Sequence, residues 1–134
     1  MRSELELKLV NDFPLLYNSY YTGDIRETLL PFGFECGDGW YNLLYELSTK
    51  LNELFLQFPE EENRPIVIQI KEKYGALCYY ISWGTDEMFD LIVAAEKKSL
   101  KTCEQCGKPG ETKKVRGWYT TICFDCFVEM MKKG

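Results

Sequence analysis

Histidine is absent from the 134 residues of this chain. The side chain that most often moves protons near neutral pH is therefore missing. With it go histidine-dependent triads, histidine zinc ligands and the histidine brackets of metallohydrolases. Carboxylates or thiolates would have to carry any catalysis, and the expectation is a protein that is not an enzyme. Long apolar runs are missing too. No stretch approaches the roughly 18 consecutive apolar residues of a membrane helix, so no membrane partner is expected. The opening M-R-S-E-L-E-L-K-L-V-N-D alternates charge with leucine, which does not make a secretory signal. These readings place the chain in the cytoplasm, where thiols stay reduced. Internal repeats and low-complexity segments are also lacking.

What is present suffices for a core. Apolar residues make up 46% and aromatics 15%, so the chain is not disordered and forms one compact domain or a small domain with an appendage. Charge is unevenly placed. Residues 1–96 carry 7 basic and 17 acidic side chains, a formal −10, and residues 97–134 carry 9 basic and 4 acidic, a formal +5. A divalent ion on four thiolates would add a formal −2 and leave the tail at +3. Such asymmetry reads either as a nucleic-acid face or as two solvated surfaces.

The chain divides into an acidic α+β body, residues 1–100, and a cysteine-bearing module, residues 101–134. Residues 3–11 read as a short helix with Leu5, Leu9 and Val10 on one side, interrupted at Asp12-Phe13-Pro14. Residues 15–34 resist assignment, apart from a helical turn over Glu27 to Leu30 that Pro31 ends. After the turn-like F-G-F-E-C-G-D-G-W, with Asp38 as the expected N-cap, Trp40, Leu43, Leu44, Leu47, Leu51, Leu54, Phe55 and Phe58 form one helical stripe that Pro59 stops. The period then changes to two. Ile66, Ile68 and Ile70 alternate with Val67, Gln69 and Lys71. Leu77, Tyr79, Ile81 and Trp83 alternate with Cys78, Tyr80 and Ser82. This pattern predicts a β-hairpin turning near Lys73 to Ala76. Helices packed on a small antiparallel sheet, with a third strand from the early region, complete the expected body. Thr85-Asp86-Glu87 opens a further helix with Met88, Leu91, Ile92 and Ala95 buried, and this helix delivers the chain to Cys103 without room for a flexible linker.

Cys103 and Cys106 stand two residues apart, as do Cys123 and Cys126, with sixteen residues between the pairs. That is the C-x2-C…C-x2-C spacing of a zinc site. A two-residue gap lets a tight turn aim both sulfurs at one ion, and four thiolates fill the tetrahedral shell zinc prefers. A filled shell has no place for water or substrate, so the expected zinc is structural. A thiol redox pair, disulfides and an iron–sulfur cluster are the competing readings. Thr112 to Arg116 and Trp118 to Ile122 are expected to form a hairpin turning near Gly117. The last pair then opens a terminal helix, F-V-E-M-M-K-K. Knuckle, hairpin and ligand-bearing helix together resemble treble-clef or zinc-ribbon modules. Cys78 and Cys36 lie outside the pattern and read as packing residues.

Lys108, Lys113, Lys114 and Arg116 surround the cluster, joined by Lys132 and Lys133, with Trp118 and Tyr119 among them. Cations for phosphate and rings for stacking are what a nucleic-acid site uses. The plainer reading has Trp118 covering the metal site and the lysines solvated. The weakly positive tail and the repulsive body favour that reading. Among the carboxylates, Asp38 and Asp86 have helix-capping explanations, and nothing in the sequence pairs them as an acid couple.

The ordered blocks G-D-G-W-Y-N-L-L, I-Q-I-K-E-K-Y-G-A-L-C-Y-Y, A-E-K-K-S-L-K-T-C-E-Q-C-G-K-P-G and G-W-Y-T-T-I-C-F-D-C span about residues 35–126. In these the chain resembles a group of small bacteriophage and prophage proteins. The resemblance implies a context, not a mechanism. A phage-encoded inhibitor would act in the host cytoplasm on a host protein or ribonucleoprotein, for example a defence complex of the CRISPR type. The expectation is therefore a non-enzymatic zinc-binding interaction protein. The alternative is a nucleic-acid-binding regulator that uses the basic module.

Overall fold

The computed structural model describes residues 1–133. Helix α1 (Ser3–Asp12) runs into two single-turn helices, α2 (Pro14–Tyr17) and α3 (Ser19–Thr22). Strand β1 (Phe34–Glu35), the long α4 (Tyr41–Phe55), strands β2 (Val67–Lys73) and β3 (Ala76–Ile81), and helix α5 (Asp86–Ser99) complete the body. No helix among the described residues is long and apolar enough to cross a membrane.

The three-stranded sheet has the order β1-β2-β3. Strands β2 and β3 are antiparallel, as their alternation predicts. Tyr74 and Gly75 join them with φ of 54° and 85°, the positive pair a type I′ turn requires. The third strand does come from the early region, but β1 pairs with β2 in parallel, so the sheet is mixed rather than antiparallel. The cause is topological: the chain passes through α4 between β1 and β2, a crossover that returns it in the same direction. Simple alternation also fails at the start of β2. A register shift between Val67 and Gln69 inserts one residue and exchanges the faces. Val67 and Ile70 are buried, whereas Ile66 is 42% exposed.

Polar side chains close both edges of this sheet. On the β3 side, Leu77 N donates to Ser99 Oγ at 2.9 Å and Tyr79 N donates to Glu96 Oε2 at 3.2 Å, both from α5. On the β1 side, Phe34 N donates to Glu6 Oε1 at 2.9 Å, and Tyr20 Oη donates to Glu6 Oε2 at 3.1 Å. Paired edges cannot recruit a foreign strand. Glu6 is thus a buried acid within a helix whose sequence reads as an ordinary amphipathic stripe.

The core follows the helical stripe. Trp40, Leu43, Leu44, Leu47, Leu51 and Phe55 are buried against Leu9, Tyr17, Phe34, Ile70, Leu77, Met88 and Ile92. One polar chain runs through it: Tyr17 Oη lies 2.6 Å from Ser48 Oγ and 2.8 Å from Tyr79 Oη, and Ser48 Oγ donates to Leu44 O. Burial pushes the Tyr17 hydroxyl up to about 12, so it acts as a neutral hydrogen-bonding group.

Several helix ends differ from expectation. Helix α4 stops at Phe55, ahead of Pro59, and Leu54 and Phe58 are only half-buried. Phe58 instead packs edge-on against Trp83 at 5.2 Å, and Arg64 donates to the Phe58 and Pro59 carbonyls. Pro31 does not end a turn but sits inside a 3-10 turn, Leu30–Phe32, where its missing N–H costs nothing. Asp38 is not a cap. Its carboxylate accepts from Arg2 N and pairs with the Arg2 guanidinium, both at 2.8 Å, and Gly37 occupies the cap position of the 3-10 turn Asp38–Trp40. Thr85 does cap α5, accepting from Met88 N at 3.3 Å.

Candidate metal centre

Helix α5 ends four residues before Cys103, and the chain turns at once into a knuckle. Cys103 N donates to Lys108 O at 2.8 Å and Gly107 N donates to Cys103 O at 2.9 Å. Gly107 has φ of 83°, the left-handed conformation that folds the pair back on itself. Strands β4 (Glu111–Val115) and β5 (Trp118–Ile122) follow as a hairpin, with Arg116 and Gly117 at φ of 53° and 86° in its turn. Helix α6 (Phe124–Lys132) ends the fold. Cys123 is its N-cap and Cys126 lies in its first turn, with the Cys126 amide 3.4 Å from Cys123 Sγ.

The topology brings all four predicted sulfurs together. The Sγ atoms of Cys103, Cys106, Cys123 and Cys126 lie within 4.8 Å of one another, and Cys106 and Cys123 approach to 3.5 Å. A tetrahedron with metal–sulfur bonds of about 2.3 Å has sulfurs about 3.8 Å apart. The four are free thiols rather than disulfides. They form a candidate metal-binding group. Their electrostatics are those of a site a cation would stabilise. Burial works to raise the Cys103 thiol, but the amides of Cys123, Cys106 and Gln105 outweigh it and hold the thiol at about 7. Burial and the neighbouring sulfurs push Cys126 far upward, and burial also raises Cys106. Four thiols so close cannot all ionise without a positive ion between them.

The module sits on a built seat. Gly39 N donates to Glu104 O at 2.7 Å, Gly37 N donates to Glu104 Oε2 at 2.8 Å, and Trp40 Nε1 donates to Thr102 O at 2.9 Å. A Cβ on Gly39 would run into the Cys103 carbonyl oxygen and lie 2.6 Å from the Glu104 carbonyl. At the other end, Thr121 Oγ1 donates to Gly75 O and lies close to Thr112 Oγ1, each at 2.6 Å. The two tight turns of the body, C-G-D-G-W and K-Y-G-A, therefore touch the two ends of the module.

The candidate partner contacts spread over the module rather than forming one patch. Lys108 is exposed, 3.7 Å from Asp125. Lys113 is half-buried, pairs with Glu111 at 3.3 Å and lies over the Phe127 ring at 4.7 Å, facing α6. Lys114 faces Tyr119 across the hairpin, its Nζ 5.7 Å from that ring. Arg116 is exposed at the turn. Trp118 does not cover the cysteine cluster, contrary to the plainer reading. It is 80% exposed, because it stands at the hairpin tip, beyond the reach of α6. Ile122, Phe127 and Met130 pack against the cysteines instead.

Of the other thiols, Cys36 is buried, and burial raises it to about 12. Cys78 is only half-buried, because strand alternation turns it away from Leu77 and Tyr79. Sequence reasoning missed Tyr74, whose ring meets Tyr119 edge-to-face at 6.4 Å, and Glu104, whose backbone and side chain both anchor the seat. A bulky residue before Gly75, where Asn is usual, was the available signal for Tyr74. No protein-family model, curated protein or solved structure matches the chain.

Proposed function

We propose that this chain is a non-enzymatic interaction protein whose C-terminal module is folded by one structural zinc ion. The convergence of four sulfurs within 4.8 Å carries this reading. Cys103, Cys106, Cys123 and Cys126 would fill the tetrahedral shell zinc prefers and leave no position for a reacting water. Helix α6 has no buried residue of its own, so its order depends on the ligands at its start. Because the second pair lies at a helix N-terminus, the arrangement fits a treble clef better than a zinc ribbon. The resemblance to phage proteins makes the partner a host macromolecular complex, a protein or ribonucleoprotein of a defence system, met in the host cytoplasm.

Two measurements test this. Elemental analysis of the purified protein is expected to give one zinc per chain, lost in Cys103→Ser. Iron in its place, or unchanged zinc in the variant, would overturn the ligand assignment. A pull-down from nuclease-treated host lysate is expected to give a stoichiometric complex. Turnover of a small substrate by the purified protein would sink the non-enzymatic reading.

A further inference from the structure

Both two-residue hairpin turns of this protein break the same rule. In a two-residue I′ turn the first position has positive φ and favours Asn, Asp or Gly. Here it holds Tyr74 at 54° and Arg116 at 53°. A bulky side chain in that conformation is strained, and such strain gathers at functional sites. The two turns also converge. The Tyr74 ring meets Tyr119, next to the Arg116 turn, and Thr121 ties the second hairpin to Gly75.

The result is a ridge of exposed rings beside cations. Trp118 is 80% exposed, Tyr74 72% and Tyr119 50%. Lys73 Nζ stands 5.8 Å from the Tyr74 ring and Lys114 Nζ 5.7 Å from the Tyr119 ring. Among the described residues, Lys73, Lys114 and Arg116 have no carboxylate within salt-bridge distance. A groove runs between the turns. Glu72 and Glu104 also stand on its wall, accepting from Gly75 N at 2.7 Å and from Gly37 N, and these bonds do not cancel their charge, so phosphates are expected on the Lys114 and Arg116 side. Exposed rings also occur at protein–protein sites, and it is the cations standing beside these rings that favour a phosphate-bearing ligand.

We infer that this composite ridge, built from the body turn at Tyr74 and the module turn at Arg116, binds a short single-stranded nucleic acid. Bases stack on Trp118, Tyr74 and Tyr119, and phosphates meet chiefly Lys114 and Arg116, with Lys73 the third cation. The acidic body limits the site to a few nucleotides, because a longer strand would run onto like charge. The inference rests on the interaction-protein reading and gives the ribonucleoprotein class of partner its contact point.

Fluorescence anisotropy with labelled oligothymidine and oligouridine, single-stranded and in duplexes, tests it on the zinc-loaded full chain. Single strands are expected to bind better than duplexes, with no gain once a few nucleotides are present. Three phosphate contacts on a single strand predict about a twentyfold loss of affinity between 50 and 200 mM salt. Trp118→Ala should weaken binding about tenfold or more, the effect of one lost base–aromatic stack. Tyr74→Asn and Arg116→Asn place a favoured residue at each positive φ, so both variants should fold at least as well as the parent and yet bind more weakly. No saturable binding up to about 10⁻⁴ M, the weak end of non-specific nucleic-acid affinity, overturns the inference. Unchanged affinity in those variants also overturns it. A nucleic-acid-free partner protein lost from the complex in Trp118→Ala would assign the ridge to protein instead. Zinc content and complex formation are read separately, so the ridge can fail while the proposed function stands.

Discussion

Replacing Gly39 with Ala tests how firmly the metal module and the body are joined. Gly39 does not have a positive φ, so alanine brings no backbone strain of its own. The added Cβ collides with the Cys103 carbonyl and comes within 2.6 Å of the Glu104 carbonyl. Both are backbone groups, so no rotamer relieves the clash. Restoring ordinary contact at 3.4 Å requires the knuckle to move by about 0.8 Å at Glu104. That shift breaks the hydrogen bond from Gly39 N and strains the one from Trp40 Nε1 to Thr102. Losing one partly buried bond, with its polar groups left unpaired, and weakening a second costs about 2–4 kcal/mol. For a chain of this size the melting temperature should fall by about 8–15 °C. Because the displaced atoms belong to the knuckle, metal affinity should fall as well, by up to about 30- to 700-fold if all of that energy reaches the site. Circular dichroism melting and competition with a chromogenic chelator read the two effects. Gly117→Ala is the control. Nothing lies within 4 Å of its Cβ, but its φ is 86°, so it should cost only about 1–2 kcal/mol and leave metal affinity unchanged. Parental melting and metal affinity in Gly39→Ala, or a larger loss in Gly117→Ala, would refute the reasoning.

Two further changes probe the body. Tyr17→Phe removes the hydroxyl that joins Ser48 and Tyr79 and leaves Tyr79 Oη without that partner, at a cost of about 1–3 kcal/mol in urea unfolding. An unshifted midpoint would show that the buried chain contributes nothing. Glu96 is raised above the ordinary 4.5, by burial first, while its bond from Tyr79 N works the other way. A folded carboxyl raised above its unfolded value binds more protons when folded, so its contribution is complete below about pH 4.5 and is lost as pH rises through the folded pKa. Glu96→Gln keeps an acceptor for Tyr79 N without that loss. Its stability relative to the parent should therefore increase from pH 4 to 7, and parallel pH profiles would contradict the assignment.

The parts of the fold that follow from periodicity were legible in the sequence. The α4 stripe, the β2–β3 hairpin, the Thr85 cap and each of the two Cys-x-x-Cys pairs depend on residues within a few positions of each other. The rest depended on contacts distant in the chain. Asp38 has the right type and place for a cap, but Arg2, 36 residues away, takes its carboxylate. The bulge at Ile68 leaves an uninterrupted alternation in the sequence and still reverses which residues face the core. Trp118 is the natural lid for a nearby cluster when only spacing is known, and the hairpin length carries it past that position. Nothing local in the sequence shows that Glu6 and Glu96 close the edges of a sheet.

The four blocks quoted from the sequence are far apart in the chain but meet at one junction. G-D-G-W seats the knuckle through Gly39 and Trp40, and K-Y-G-A seats the second hairpin through Gly75. A-E-K-K-S-L-K-T-C supplies Ser99, which closes the edge of β3, and Cys103, the first cysteine of the candidate metal-binding group. The last block supplies Thr121 together with Cys123 and Cys126. Metal binding should therefore order more than its own module. Hydrogen exchange with and without a strong chelator measures this directly. Removing the ion is expected to expose amides from 103 to 133, and also those of Gly39 and Trp40 and the turn around Gly75, because their partners lie on the knuckle and on β5. Amides facing away from the junction, such as those in the middle of α4, should keep their protection, since the core around Leu44 and Leu51 does not touch the cluster. Loss of protection confined to residues 103–133 would mean that the module hangs from the body without stabilising it. The Gly39 substitution would then act on a contact that the metal does not control.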